Sequence, residues 1–101
     1  MTTTRLAPIR PEVLAEFCRR HHISRLSLFG SVLRPDFRDD SDVDVLVEFE
    51  PGETPGLAFF DIETALSELF ERRVDLNTPQ FLSPRIRARV QAEAEVLVGG
   101  A

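Results

Sequence analysis

The stretch Val43 to Phe49, VDVLVEF, is β-branched and apolar enough to run as a buried central strand, yet the chain enters it through DDSDVD. Successive side chains of a strand leave on opposite faces, so Asp42 and Asp44 share one face while Val43 and Val45 take the other. Two unit charges about 4 Å apart repel by roughly 4 kcal/mol at an effective dielectric near 20. That is a sizeable part of the about 5–15 kcal/mol that holds a domain together. The pair therefore splays into solvent, or a cation sits between its members. A hard divalent ion suits the second case. Mg²⁺ takes a few carboxylates, keeps several waters and completes its shell with phosphate oxygens.

The same segment offers somewhere for phosphates to go. Gly30 lets a ligand approach the backbone, and Ser31 adds a hydroxyl and an N–H where a turn or short helix begins. Ten residues separate this Gly-Ser from Asp42. A further carboxylate, Asp75 in RRVDLNTP, falls in another short strand and joins the pair if the two strands are neighbours. Taken singly, an Asp-rich loop is ordinarily a solvated turn, Gly-Ser after a strand is ordinarily a turn, and Asp75 passes as a strand-end residue. The specific signal is their order: strand, Gly-Ser, ten residues, Asp-x-Asp, strand, helix, Asp within a strand. An EF-hand starting at Asp40 fails, because its sixth and twelfth positions are Val45 and Pro51 rather than Gly and Glu. A phosphatase with an aspartyl nucleophile fails too, since its apolar strand precedes the Asp pair and here it follows.

A chain of 101 residues with 43% apolar content predicts one compact domain over residues 1–101. Cys18 stands alone, which excludes an internal disulfide and a cysteine-rich metal site. The opening MTTTRLAPIRPE has no apolar run to serve as a signal peptide, and no segment reaches the roughly 20 apolar residues of a membrane helix. A cytoplasmic protein with no membrane attachment is expected. The net charge of -5 is local. Between Arg34 and Glu53, eight acidic residues against Arg34 and Arg38 leave -6, so the rest of the chain carries +1. Broad nucleic-acid binding through a basic face is not expected. All twelve basic residues are arginine, which leaves no lysine as nucleophile or phosphate ligand.

Periodicity supplies the elements. Pro11 to His22 predicts an amphipathic helix with Val13, Leu14, Phe17 and Cys18 inward. Arg25 to Phe29 reads as a strand ended by Gly30, and PGETPG at 51–56 as a loop. Leu57 to Arg73 predicts a second helix facing inward through Phe59, Ile62, Leu66, Leu69 and Phe70. Val74 to Leu76 reads as a third strand, and Ser83-Pro84 opens a last helix with Ile86, Val90 and Leu97 inward before a frayed GGA tail. The order α, β, β, α, β, α predicts an α/β (α+β) fold, a small mixed sheet with helices packed on it. His21 and His22 are expected to cap the first helix as cations. Phe59 is expected in the core and Phe60 at its edge, while Arg85, Arg87 and Arg89 spread around a solvated helix.

Gly30-Ser31, ten residues and Asp42-Val43-Asp44 resemble the signature of the DNA polymerase β-like nucleotidyltransferase superfamily. The small size, GLAFFDIETALSELF, RRVDLNTP and the closing helix resemble its minimal nucleotidyltransferase branch. The resemblance implies a palm-like sheet in which Asp42 and Asp44 hold Mg²⁺, two ions in all, that bridge the triphosphate of ATP. Gly30 and Ser31 would bind its phosphates. Asp75 would be the third carboxylate, helping to hold the catalytic metal and to remove the acceptor's hydroxyl proton. Arg34 matches a position that is often basic and would touch a phosphate, although an ion pair with Asp36 is an equal alternative. Leu33 and Pro35 depart from the small residue and glycine of the family pattern around it. The branch resembles the antitoxin half of toxin–antitoxin systems with a helical HEPN ribonuclease, in a hetero-oligomer, and implies transfer of AMP to a tyrosine of that toxin. Two alternatives stay open: an antitoxin that silences its partner by binding alone, and transfer to a small molecule or RNA end.

Overall fold

The computed structural model describes residues 9–34 and 42–99. Helix α1 (Pro11–Arg20) starts on a proline, whose missing N–H is no loss in a first turn, and turns Leu14, Phe17 and Cys18 into the core. Val13, expected inward, is 41% exposed. His21 occupies the helix C-cap, where its cationic form is disfavoured. Its ring packs against Phe17 with centroids 4.5 Å apart, and burial, with Arg20 and His22 beside it, pushes its pKa below the ordinary histidine value. His22 then reverses the chain at φ 59° and faces Glu50 and Glu53.

Strand β1 (Ile23–Phe29) is two residues longer than expected and runs antiparallel to β2 (Val43–Phe49), whose limits match the expectation. A register irregularity lies between Ile23 and Arg25, beside the Ser24 hydroxyl, which donates to the Glu48 carbonyl at 3.0 Å. Helix α2 (Ala58–Phe70) then crosses over to β3 (Val74–Asn77), parallel to β2, as a parallel pair requires. A 3₁₀ turn (Pro79–Phe81) leads to α3 (Pro84–Glu93), and β4 (Glu95–Gly99) returns antiparallel to β1. The sheet order is β3-β2-β1-β4. This mixed four-stranded sheet with its helices is an α+β fold.

The main core fills the sheet face that carries Leu26 and Leu28 of β1, Val43, Val45 and Val47 of β2, and Val74 and Leu76 of β3. Helix α1 meets it through Leu14, Phe17 and Cys18, and α2 through Phe59, Ile62, Leu66 and Phe70. Burial pushes the Cys18 thiol up to about 11, so it stays protonated and packs as a small apolar group. Leu46 and its cross-strand partner Ser27 are buried on the opposite face, each 1% exposed.

Four expectations are corrected. Leu97 belongs to β4, not to the last helix, and packs against the core from there. Ile86 of α3 is 50% exposed, so Val90 alone anchors that helix among its buried residues. Phe60 is 61% exposed and meets Phe59 edge-on instead of closing the core edge. Arg87 is not a solvated surface residue, because its guanidinium donates to the carbonyls of Pro79 at 2.8 Å and Leu82 at 3.1 Å, tying α3 to the turn before it.

Helix α2 ends at Phe70, short of the expected Arg73, through a Schellman-type cap. The Glu71 N–H reaches the Glu68 carbonyl and the Arg72 N–H the Ser67 carbonyl, with Glu71 left-handed at φ 55°, ψ 33°. A side chain pays a steric penalty in that conformation that glycine does not. Glu71→Gly is therefore expected to raise stability by about 0.5–1 kcal/mol in urea unfolding, with an unchanged m-value.

Candidate active site

Strand β1 ends at Phe29, and the chain turns at once into a 3₁₀ turn, Gly30–Leu33, whose Val32 is buried in the core at 2% exposure. Anchoring Val32 there forces the turn at Gly30, which takes φ +76°, a conformation that L side chains rarely adopt. A side chain here would also displace the Asp44 carboxylate. A Cβ at this position would collide with Oδ2 of Asp44 and lie 3.2 Å from its Cγ. The Asp44 carboxylate thus fills the space a side chain at Gly30 would need.

Asp44 is held from both sides of its strand. It pairs with Phe29 across the antiparallel ladder and with Asp75 across the parallel one. Residues in register on neighbouring strands present their side chains to the same face, so Asp44 and Asp75 are side by side. Val43, one residue earlier, faces the core at 0% exposure, and its N–H donates to the Arg73 carbonyl at 2.9 Å, which fixes where β2 enters the sheet. Asp42 immediately precedes β2 and is exposed; Asp75 is exposed and Asp44 half-buried.

The adjacency of strands that sequence left conditional is thus present. Gly30, Asp44 and Asp75 come together across three strands, with Asp42 on the approach to β2. Ser31 holds the second position of the 3₁₀ turn, and Arg34 follows that turn and is exposed. Asp36, the alternative partner of Arg34, lies outside the described residues. Among the described residues, no three His, Cys, Asp or Glu side chains are drawn together tightly enough to cage a metal. The donors are nevertheless hard oxygens on one face, the chemistry that suits Mg²⁺, which needs only one or two carboxylates and takes its other ligands from water and phosphate. Sequence reading missed two residues at the margin of this site, Glu63 and Ser67 of α2, which accept backbone N–H groups of β3. Their signal was a polar pair four residues apart beside the inward stripe of the helix.

The model of the nucleotidyltransferase domain matches residues 10–97. The chain belongs to this nucleotidyltransferase family. Among its relatives, the protein adenylyltransferase MntA of Thermococcus cleftensis is 38% identical over 77% of this chain and 78% of its own length. A solved structure described as a minimal nucleotidyltransferase is 42% identical, with a TM-score of 0.70 over 84% of this chain and 86% of that one. The same fold recurs in a crystal structure of a toxin–antitoxin with AMP-PNP, at 19% identity and TM-score 0.73 over 91% of this chain and 75% of that one. It recurs again in a complex of a tri-AMPylated Shewanella oneidensis HEPN toxin with its MNT antitoxin, at 20% identity and TM-score 0.65 over 89% and 70% of the two chains. No helix among the described residues is long and apolar enough to cross a membrane.

The Gly30 geometry sets an expectation. Gly30→Ala combines a strained φ with a collision against the Asp44 carboxylate. It is expected to lower stability by at least about 1 kcal/mol in urea unfolding and to lower nucleotidyl transfer further than loss of folded protein explains.

Proposed function

We propose that this nucleotidyltransferase is an antitoxin that moves AMP from ATP, with Mg²⁺, onto a tyrosine hydroxyl of a HEPN-type ribonuclease toxin. The observation that carries this reading is the in-register pair Asp44–Asp75 with the Asp44 carboxylate set directly against Gly30, which brings two carboxylates to the glycine turn that follows β1. The name of the Thermococcus cleftensis relative supports protein adenylylation, and the HEPN–MNT complexes with the same fold support the partner class.

Asp42, Asp44 and Asp75 would hold the metal, which when bound neutralises charge on the phosphates and on the attacking and leaving oxygens. The Gly30–Leu33 turn, with Gly30 and Ser31 at its start, would receive the triphosphate, and Arg34 would offer its guanidinium to a phosphate oxygen. Transfer forms a bond from the acceptor oxygen to the α-phosphorus and breaks the bond from that phosphorus to the oxygen bridging to the β-phosphorus. Pyrophosphate departs with the electron pair, and the acceptor's proton leaves towards the Asp75 carboxylate. This chain contains no tyrosine and so cannot be its own acceptor of that type. Added AMP places negative charge and bulk on a surface that must bind RNA phosphates, which blocks a ribonuclease by repulsion and by volume.

Intact-mass spectrometry of a HEPN-type partner, incubated with ATP, Mg²⁺ and this protein, tests the reading. One or more AMP additions are expected with the native chain. Asp42→Ala and Asp44→Ala are expected to slow the addition by at least about 100-fold, the scale of losing a group that stabilises transition-state charge. A native chain that binds the partner stably and adds no mass would overturn catalysis and leave silencing by binding.

A further inference from the structure

Strand β3 is only four residues long and lies at the edge of the sheet, yet it carries Asp75. A short edge strand with one neighbour is the element of a sheet most free to fray. The Val43 N–H donates to the Arg73 carbonyl, so the odd-numbered residues of this segment turn their backbone groups towards β2. The N–H groups of Val74 and Leu76, on either side of Asp75, point off the edge. Both are taken by side chains of α2. The Val74 N–H donates to Ser67 Oγ at 3.0 Å, and the Leu76 N–H donates to Glu63 Oε2 at 2.9 Å.

The match is geometric. Residues four apart on a helix are separated by about 6.0 Å along its axis, and residues two apart on a strand by about 6.6 Å, so an i, i+4 pair on an antiparallel helix meets alternate N–H groups of a strand. The Ser67 hydroxyl also donates to the Glu63 carbonyl at 2.9 Å, which fixes its rotor and aims its lone pair at Val74. The core side of the same helix buries Phe59, Ile62, Leu66 and Phe70 and needs neither polar group.

We propose that Glu63 and Ser67 are positioning residues of the transfer reaction: by gripping the outer N–H groups on both sides of Asp75, they hold its carboxylate in register with Asp44. This inference rests on the reading of Asp75 as a metal-holding carboxylate. Both side chains act through the backbone of β3, whose N–H groups they accept. The Glu63 carboxylate accepts from an amide, so a glutamine's carbonyl oxygen can replace it where an alanine cannot.

The test uses Glu63→Ala, Ser67→Ala and Glu63→Gln in the full chain, with Asp75→Asn beside them. Three properties are read: amide exchange at Val74 and Leu76, Mn²⁺ affinity by electron paramagnetic resonance in the presence of ATP, and kcat of AMP transfer per folded molecule. Glu63→Ala is expected to speed exchange at Leu76 at least 10-fold, weaken Mn²⁺ at least 5-fold and lower kcat about 10-fold, with the KM for ATP changed less than 3-fold. Ser67→Ala should do the same at Val74, and Glu63→Gln should recover most of each loss. Unchanged Mn²⁺ affinity and kcat in both alanine variants, despite faster exchange, would overturn the inference. A fully active Asp75→Asn, whose clamp is intact, would remove the reading of Asp75 and this inference with it.

Discussion

The site depends on one property of β2, that its two faces are not interchangeable. Val43, Val45 and Val47 are each fully buried against the helices, and Asp44 is set between the first two. A shift of one residue in register would drive the carboxylate into the apolar core and turn three valines outward. Exposing a single valine forfeits about 1.5–3 kcal/mol, and burying an unpaired carboxylate is worse still. Core packing alone therefore decides where the Asp44 charge is presented. The acidic residue that makes VDVLVEF an odd strand to bury is held in place by a core that leaves it no other register.

From that fixed point the neighbours are determined in turn. Antiparallel pairing with β1 brings Phe29 opposite Asp44, and the chain must leave β1 where the carboxylate already occupies the space, so the next residue has no side chain. Parallel pairing with β3 brings Asp75 to the other flank. The crossover helix α2 that a parallel pair demands is thus also the element that reaches the outer edge of β3.

Much of this was legible in the sequence because the signals were local. The limits of β2 followed from its valines, and the inward residues of α2 from a 3.6-residue period that the core preserves at Phe59, Ile62, Leu66 and Phe70. What sequence left conditional, the contact of Asp75 with Asp44, is a tertiary fact. β4 was missed for a related reason. Its EVLVG follows QAEA, strong helix formers that carry the helical pattern onward, while the strand is specified by pairing with β1 about 70 residues earlier. Leu97 suits either structure as an apolar residue, and only the sheet edge offered by β1 decides between them. Helix ends were misjudged where a non-glycine residue, Glu71 or His22, takes the left-handed turn, since composition there gives no stop signal.

The two aspartates at the centre of the site are secured by partly different forces, and the difference has consequences. Asp44 is positioned by buried apolar contacts on its own strand, so a change that displaces it also damages the core. Asp75 also lies between buried residues, Val74 and Leu76, but its four-residue edge strand is held in addition by side-chain hydrogen bonds, interactions that typically contribute about 0.5–1.5 kcal/mol each. Site geometry is therefore tied to the core at both strands, and at β3 it has a polar component as well. Within one small sheet, the central carboxylate is as rigid as the fold, while the flanking one is set in part by polar contacts that can be altered without emptying any part of the core.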